Sequence, residues 1–324
     1  MAFTSSTVRK QAELPAGSCS LPRDEALPGT AAQVTTWVLV EHPGGWGRDI
    51  LDGSAFGQPL STELSARMEQ LGARLLLVRK PGREGQVLMA SGESRRAYLA
   101  RVGGRGFEPA VLYTFEVSDV ADLLTLPLEK PETIPGLVVS RETLVLICTH
   151  SKRDRCCALL GRPLAAFLQE QSTGVQVWEC SHTGGHRFGP VALTLPSGYT
   201  YGRLTFEQAL TLASDIRSEQ LALAGLRGRS AHTPIEQVAE VAVRSYLAQE
   251  GEKPPINDLS PERVSTPAEG IVQSARVTHR DGRAWLVTAH EVELPARPAS
   301  CGKDPSPATS WQVESIAPTQ PAEG

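Results

Sequence analysis

The strongest constraint in this chain is an order of local patterns that occurs twice. Residues 37–41 are a short apolar run of strand character, followed by a loop with Pro43, Gly44, Gly45 and Gly47. Residues 62–71 then carry Leu64, Met68 and Leu71 at helical spacing. Residues 74–79, 86–90, 97–102 and 110–117 read as strands set apart by turn residues, and 119–124 as a short helix. The same grammar restarts at residue 144. Residues 144–148 are a strand, 157–169 a helix with Leu160, Leu164 and Leu168 on one side, and 175–180 a strand. A hairpin over 191–195 and 199–204 follows, then a helix over 205–221 with Phe206, Leu210, Ala213 and Ile216 as its inward stripe.

Both stretches thus spell a strand, a loop, a helix, further strands and a closing helix. That order predicts an α/β fold of two tandem thioredoxin-like units, residues 34–135 and 136–229. In each, a parallel βα pair precedes an antiparallel hairpin and a last helix. Residues 1–33 read as an irregular arm. Residues 230–300 predict an appendage of one helix and one β-hairpin. Thr233, Pro234 and Glu236 form a capping-box start, and Asp281-Gly282 is a two-residue turn signal. A single hairpin is marginal alone, so this appendage should pack on the second unit. Residues 301–324 read as a loose Pro-rich tail, with a short strand near 311–313.

Composition excludes several classes of function. Lys and Arg total 32 against 36 Asp and Glu, without the basic excess of a general nucleic-acid binder. No apolar run approaches the roughly 18 residues that span a bilayer. The first residues show no apolar signal core, so the expected location is the cytoplasm. No Rossmann or Walker pattern announces a nicotinamide, flavin or nucleotide site.

Chemistry concentrates in two segments. The first, CTHSKRDRCC, holds Cys148 and Cys157 in a C-x8-C spacing, and the second, CSHTGGH, holds His182 and His186 in an H-x3-H spacing. Four of the six cysteines fall within 33 residues. In a reducing compartment such a group points to metal or redox chemistry more than to structural disulfides. Two thiolates and two imidazoles complete the coordination of a zinc ion or a [2Fe–2S] cluster. Cys148 closes a strand, Cys157 opens the next helix, and the histidines leave the neighbouring strand, so all four belong at one end of the sheet. The helix start favours thiolate at Cys157. Gly184 and Gly185 disfavour a helical H-x3-H and permit a tight loop instead. The C-x8-C gap exceeds the usual zinc knuckle and leans toward a cluster. Cys19 and Cys301 lie in the two arms; they could meet near the site, but their spacing gives no reason to claim it.

The block CTHSKRDRCC…WECSHTGGHRFGPVALTLPSGYTYGRL resembles the sucrase/ferredoxin-like family, whose members are thioredoxin-like [2Fe–2S] proteins. WVLVEHPGGWG and PIEQVAEVAVR extend the resemblance over most of residues 19–300, and Ser151 stands where the family pattern has Gly. The resemblance implies that Cys148 and Cys157 bind one iron and His182 and His186 the other. It makes the second unit a thioredoxin-like ferredoxin and the first, with HPGGWG at the matching place, a degenerate partner. The expected function is one-electron transfer between redox donor and acceptor proteins, with proton coupling at the histidines, and with no nucleic acid, membrane or sugar hydrolysis involved. Arg153, Asp154, Arg187 and Trp178 are the residues expected around the ligands. The alternatives are a thiol-redox protein using Cys156 and Cys180, or a binding protein with a structural Cys2His2 zinc. No C-x-x-C motif supports the former.

Overall fold

The structure is a computed structural model that describes residues 11–82, 85, 94–103, 106–171, 174–264 and 272–320. The expected strand over 86–90 lies outside the described residues. The first half of the chain contributes β1 (Thr36–Glu41), α1 (Gln58–Gln70), β2 (Ala73–Arg79), β3 (Arg95–Arg101), β4 (Val111–Val117) and β5 (Val138–Ser140). The second contributes β6 (Leu144–Cys148), α2 (Arg155–Glu170), β7 (Gln176–Cys180), β8 (Ala192–Leu195), β9 (Tyr199–Tyr201), α3 (Phe206–Arg217) and β10 (Leu226–Arg229).

These strands form one mixed sheet of ten, in the order β10-β9-β8-β6-β7-β2-β1-β3-β4-β5. The order reads alike from either edge. In each half the first two strands are parallel, β1 with β2 and β6 with β7. The first strand of each half then pairs antiparallel with its third, and the third with its fourth. The halves meet where β2 runs antiparallel to β7, through only two residue pairs, Val78 with Cys180 and Arg79 with Glu179. The element order read from the sequence therefore builds two matching half-sheets. Their fusion edge to edge was not legible, because so short a pairing between distant strands leaves no local pattern.

Burial explains the strand sequences. Every residue of β6, Leu-Val-Leu-Ile-Cys, is buried, as both faces of this central strand are covered. Val145 and Ile147 face a core shared with Leu164 and Leu168 of α2 and Leu212 and Ile216 of α3. Leu144, Leu146 and Cys148 face the opposite core, with Trp37, Trp178 and Phe188. In α3 the inward stripe is Ala209, Leu212, Ala213 and Ile216, one step round from the expected stripe, and Phe206 and Leu210 are only partly buried.

The C-terminal region departs from the expected hairpin and loose tail. Helix α4 (Pro234–Gln249) packs on a four-stranded antiparallel sheet, β11 (Leu259–Val264), β12 (Val272–His279), β13 (Ala284–Pro298) and β14 (Pro305–Thr319). The stretch expected as a Pro-rich tail is a 15-residue strand paired along β13. β14 is an edge strand, where a proline's missing N–H costs no ladder bond on the open side. The N-terminal arm has no helix or strand over 11–35, as expected, yet it is docked. Gly29 N–H donates to the Arg227 carbonyl at 3.0 Å and Val34 N–H to that of Ser230 at 2.7 Å.

Helix α4 is tied to the large sheet by a buried ionic group. Arg244 Nε donates to Glu240 at 3.0 Å, Tyr199 Oη donates to the same carboxylate, and Arg244 also reaches the Ile256 carbonyl at 2.9 Å. Burial pushes the Glu240 carboxyl up, but Arg244 first, then His232 and Tyr199, outweigh it and hold it at about 2. The stability this group confers is present above the ordinary glutamate value of 4.5 and is lost as pH falls toward about 2. Glu240→Leu leaves the Arg244 charge buried and unpaired, and should cost about 3–5 kcal/mol at pH 7 in urea unfolding. The gap to wild type should shrink as the titration is repeated at lower pH.

Candidate metal centre

Strands β6 and β7 run parallel with Cys148 opposite Cys180, so the loops that follow both leave from the same end of the sheet. After β6 the chain turns through Thr149–Arg153 and enters α2 at Asp154, whose carboxylate caps the helix by accepting from Cys156 N–H at 2.9 Å. One turn past Cys157 in α2, Gly161 lies directly against the end of β6. A Cβ there would stand 2.2 Å from the Cys148 carbonyl oxygen. That approach, closed to any other residue, sets Cys157 over Cys148. After β7, Gly184 and Gly185 take positive φ values of 100° and 75°, a left-handed conformation that suits glycine. The loop folds back on itself, and the rings of His182 and His186 stack with centroids 5.0 Å apart.

The donor atoms of Cys148, Cys157 and His182 all lie within 4.8 Å of one another. His186 stands outside that set, against His182. The consecutive cysteines part company: Cys157 faces Cys148, whereas Cys156 faces Cys19 and Cys301. Cys180 joins neither group. It is buried in the core under the sheet, where desolvation and the nearby Cys148 hold its thiol up.

Electrostatics at the centre favours the ligand forms of Cys148 and His186, but not the thiolate expected at Cys157 from its place at the helix start. A hydrogen bond from Cys157, opposed by burial and reinforced by His182, holds the Cys148 thiol well below the usual range, and Cys157 is pushed up in return. Burial lowers His186 to about 4, which leaves its imidazole neutral at pH 7. The Nδ1 atoms of both His182 and His186 are buried without a hydrogen-bond partner. Buried polar atoms are rarely left so, and two of them beside a thiol pair suit a bound metal group.

The family model for sucrase/ferredoxin-like proteins matches residues 27–228, which contain all four of these side chains. The chain belongs to the sucrase/ferredoxin-like family. No curated protein and no solved structure gives a significant match. The sucrase/ferredoxin-like match covers nearly the whole ten-stranded sheet and ends before α4. Among the described residues no helix is long and apolar enough to cross a membrane.

The surroundings of the centre come from both halves of this sucrase/ferredoxin-like chain. His182 N–H donates to His150 Nδ1 at 3.3 Å, so the proton of His150 sits on Nε2, which donates to the Gly47 carbonyl at 3.0 Å. Trp46 meets His150 edge to face, with centroids 5.7 Å apart. The HPGGWG loop of the first half thus touches the loop that follows β6. Arg74 of β2 donates to the His182 carbonyl at 3.0 Å. Of the residues expected nearby, Asp154 is central, with Oδ2 at 3.6 Å from His186 Nδ1. Arg153 pairs with Asp49 at 3.6 Å, Arg187 pairs with Glu25, and Trp178 is a core indole with Lys80 Nζ 4.0 Å from its ring. His150, two residues after Cys148, was readable from its place in the motif. Nothing in the local sequence marks Arg74.

Gly161→Ala tests the helix contact. Alanine is the better helix former by about 1 kcal/mol. The substitution should nonetheless lower stability in urea unfolding, because overpacking against backbone costs about 1–3 kcal/mol. An unchanged or raised midpoint would mean that α2 is free to shift.

Proposed function

We propose that this chain is an iron–sulfur electron carrier, with Cys148 and Cys157 holding one iron and His182 and His186 the other iron of a [2Fe–2S] cluster. The observation that carries this reading is the gathering of Cys148, Cys157 and His182 within 4.8 Å, with His186 stacked on His182 and both imidazoles presenting an unpartnered buried nitrogen. The fold reading that accompanies it is of two thioredoxin-like units, the second carrying the centre. Its support is the shared strand order and pairing of the two half-sheets. A [2Fe–2S] cluster supplies reversible one-electron transfer.

The protein's own residues set the conditions. The two cysteines are each 1% exposed, so water is kept from the sulfur side. The histidine side is closer to solvent, and His182, His150, Arg74 and Arg153 line a cleft of about 400 Å³. This is the face on which redox donor and acceptor proteins would dock. Neutral imidazoles in place of two thiolates reduce negative charge, and the Arg74 guanidinium adds positive charge nearby. Both favour the reduced state and place the expected potential in the Rieske range, about −150 to +300 mV.

Electron paramagnetic resonance of the reduced protein tests the assignment. Wild type should give a low average g of Rieske type, and His182→Cys or His186→Cys should move it toward ferredoxin values and lower the potential. A spectrum unmoved by both substitutions would refute iron-bound histidines. The outward N–H of each bound imidazole should titrate. The potential should then fall with pH above the pKa of the oxidised form, at up to about 59 mV per unit. A potential flat from about pH 6 to 10 would count against proton coupling.

One observation favours a second reading. A single ion also fits three donors within 4.8 Å, as in a Cys2His2 zinc site. Red-brown protein with iron and sulfide selects the cluster, and colourless protein with zinc selects the ion.

A further inference from the structure

Beside this centre the fold gathers a second set of donors from three distant parts of the chain. Cys19 comes from the N-terminal arm, Asp154 and Cys156 from the start of α2, and Cys301 from the turn between β13 and β14. The sulfur atoms form a triangle with edges of 3.2 Å (Cys156 to Cys301), 3.5 Å (Cys301 to Cys19) and 3.9 Å (Cys19 to Cys156). Asp154 Oδ2 stands 3.4 Å from the Cys19 sulfur, and all four donor atoms lie within 4.8 Å of one another.

We propose that Cys19, Cys156, Cys301 and Asp154 form a second metal site, which takes a tetrahedral zinc ion and locks the arm that precedes β1 and the turn between β13 and β14 onto the start of α2. Tetrahedral zinc with Zn–S bonds of about 2.3 Å sets its sulfurs about 3.8 Å apart, and a carboxylate oxygen about 3.5 Å from each sulfur. The edges of 3.5 and 3.9 Å and the Asp154 distance of 3.4 Å lie close to those values, and the Cys156–Cys301 edge, at 3.2 Å, would have to open by about 0.6 Å to seat the ion. A disulfide would use two of the three sulfurs and strand the third.

Charge points the same way. The Asp154 carboxylate and the Cys19 and Cys156 thiols are buried and Cys301 is half-buried; the basic side chain paired with the four is His186, with Nδ1 at 3.6 Å from Asp154 Oδ2 and its imidazole neutral at pH 7. A divalent cation supplies the missing positive charge. The backbone is arranged to hold such a site. Cys19 N–H donates to the Cys301 sulfur at 3.4 Å, and Cys301 N–H and Ser300 Oγ donate to Asp154 Oδ2 at 2.8 and 3.1 Å. With four protein donors the site is closed to substrate, which marks it as structural.

The test is metal analysis of the full-length protein grown with both iron and zinc and then dialysed. Wild type should retain about one zinc per chain, with an X-ray absorption signature of three sulfurs and one oxygen and no imidazole. Cys19→Ser and Cys301→Ser should each lose the zinc and keep the iron. Cys157→Ala should lose iron and keep zinc, so the two centres fail or survive separately. Zinc bound through two sulfurs and imidazoles would overturn the proposal. So would zinc retained in both serine variants, or wild type free of zinc with a disulfide among these three cysteines. If the variants do not fold, the absorption signature of wild type decides alone.

Discussion

The end of the sheet that gathers Cys148, Cys157 and His182 depends on the contact between Gly161 and the Cys148 carbonyl. A helix seated that close to a strand end has its first turn fixed in both position and rotation. Cys156 and Cys157, about 100° apart around the helix axis, then point to different places. One looks down onto the strand end and the other out toward the arms. Asp154, as the cap of the same helix, reaches both places at once, with one oxygen on Cys156 N–H and the other near His186, Cys19 and Cys301. A single close approach therefore organises two groups of potential ligands.

The sheet gives this end its walls. Because β2 and β7 meet at their ends, Val78 lies beside Cys180, and the loop of the first half is brought onto the loop that follows β6. The first half contributes no thiol or ring to the set of four. It contributes Arg74 and the Gly47 carbonyl, which fix the His182 backbone and the His150 ring. A unit without donors of its own thus serves as the support for those of its neighbour.

Much of this was written locally in the sequence. The apolar run 144–148, the amphipathic helix after it and the two glycines before His186 each act over a few residues, and each element forms near where its pattern lies. The C-x8-C spacing and the strand ends put three of the four expected side chains together. What was not legible depends on partners far along the chain. The two-pair seam between β2 and β7 has no periodic signature. The prolines of β14 read as irregular chain because their tolerance depends on β14 being an edge, and that is a property of the assembled sheet. Cys19 and Cys301, 282 residues apart, looked like cysteines in loose arms, because nothing near either one encodes the other.

The meeting of those two residues at Asp154 also fixes an order in time. A ribosome releases Cys19 282 residues before Cys301, and domains fold as they emerge. The half-sheet carrying Cys148 and Cys157 can assemble while its outer flank is still open. The flank closes only once β13 has been made and turned. Until then the side of Asp154 and Cys156 that faces the arms is open, and afterwards it is covered by the turn between β13 and β14.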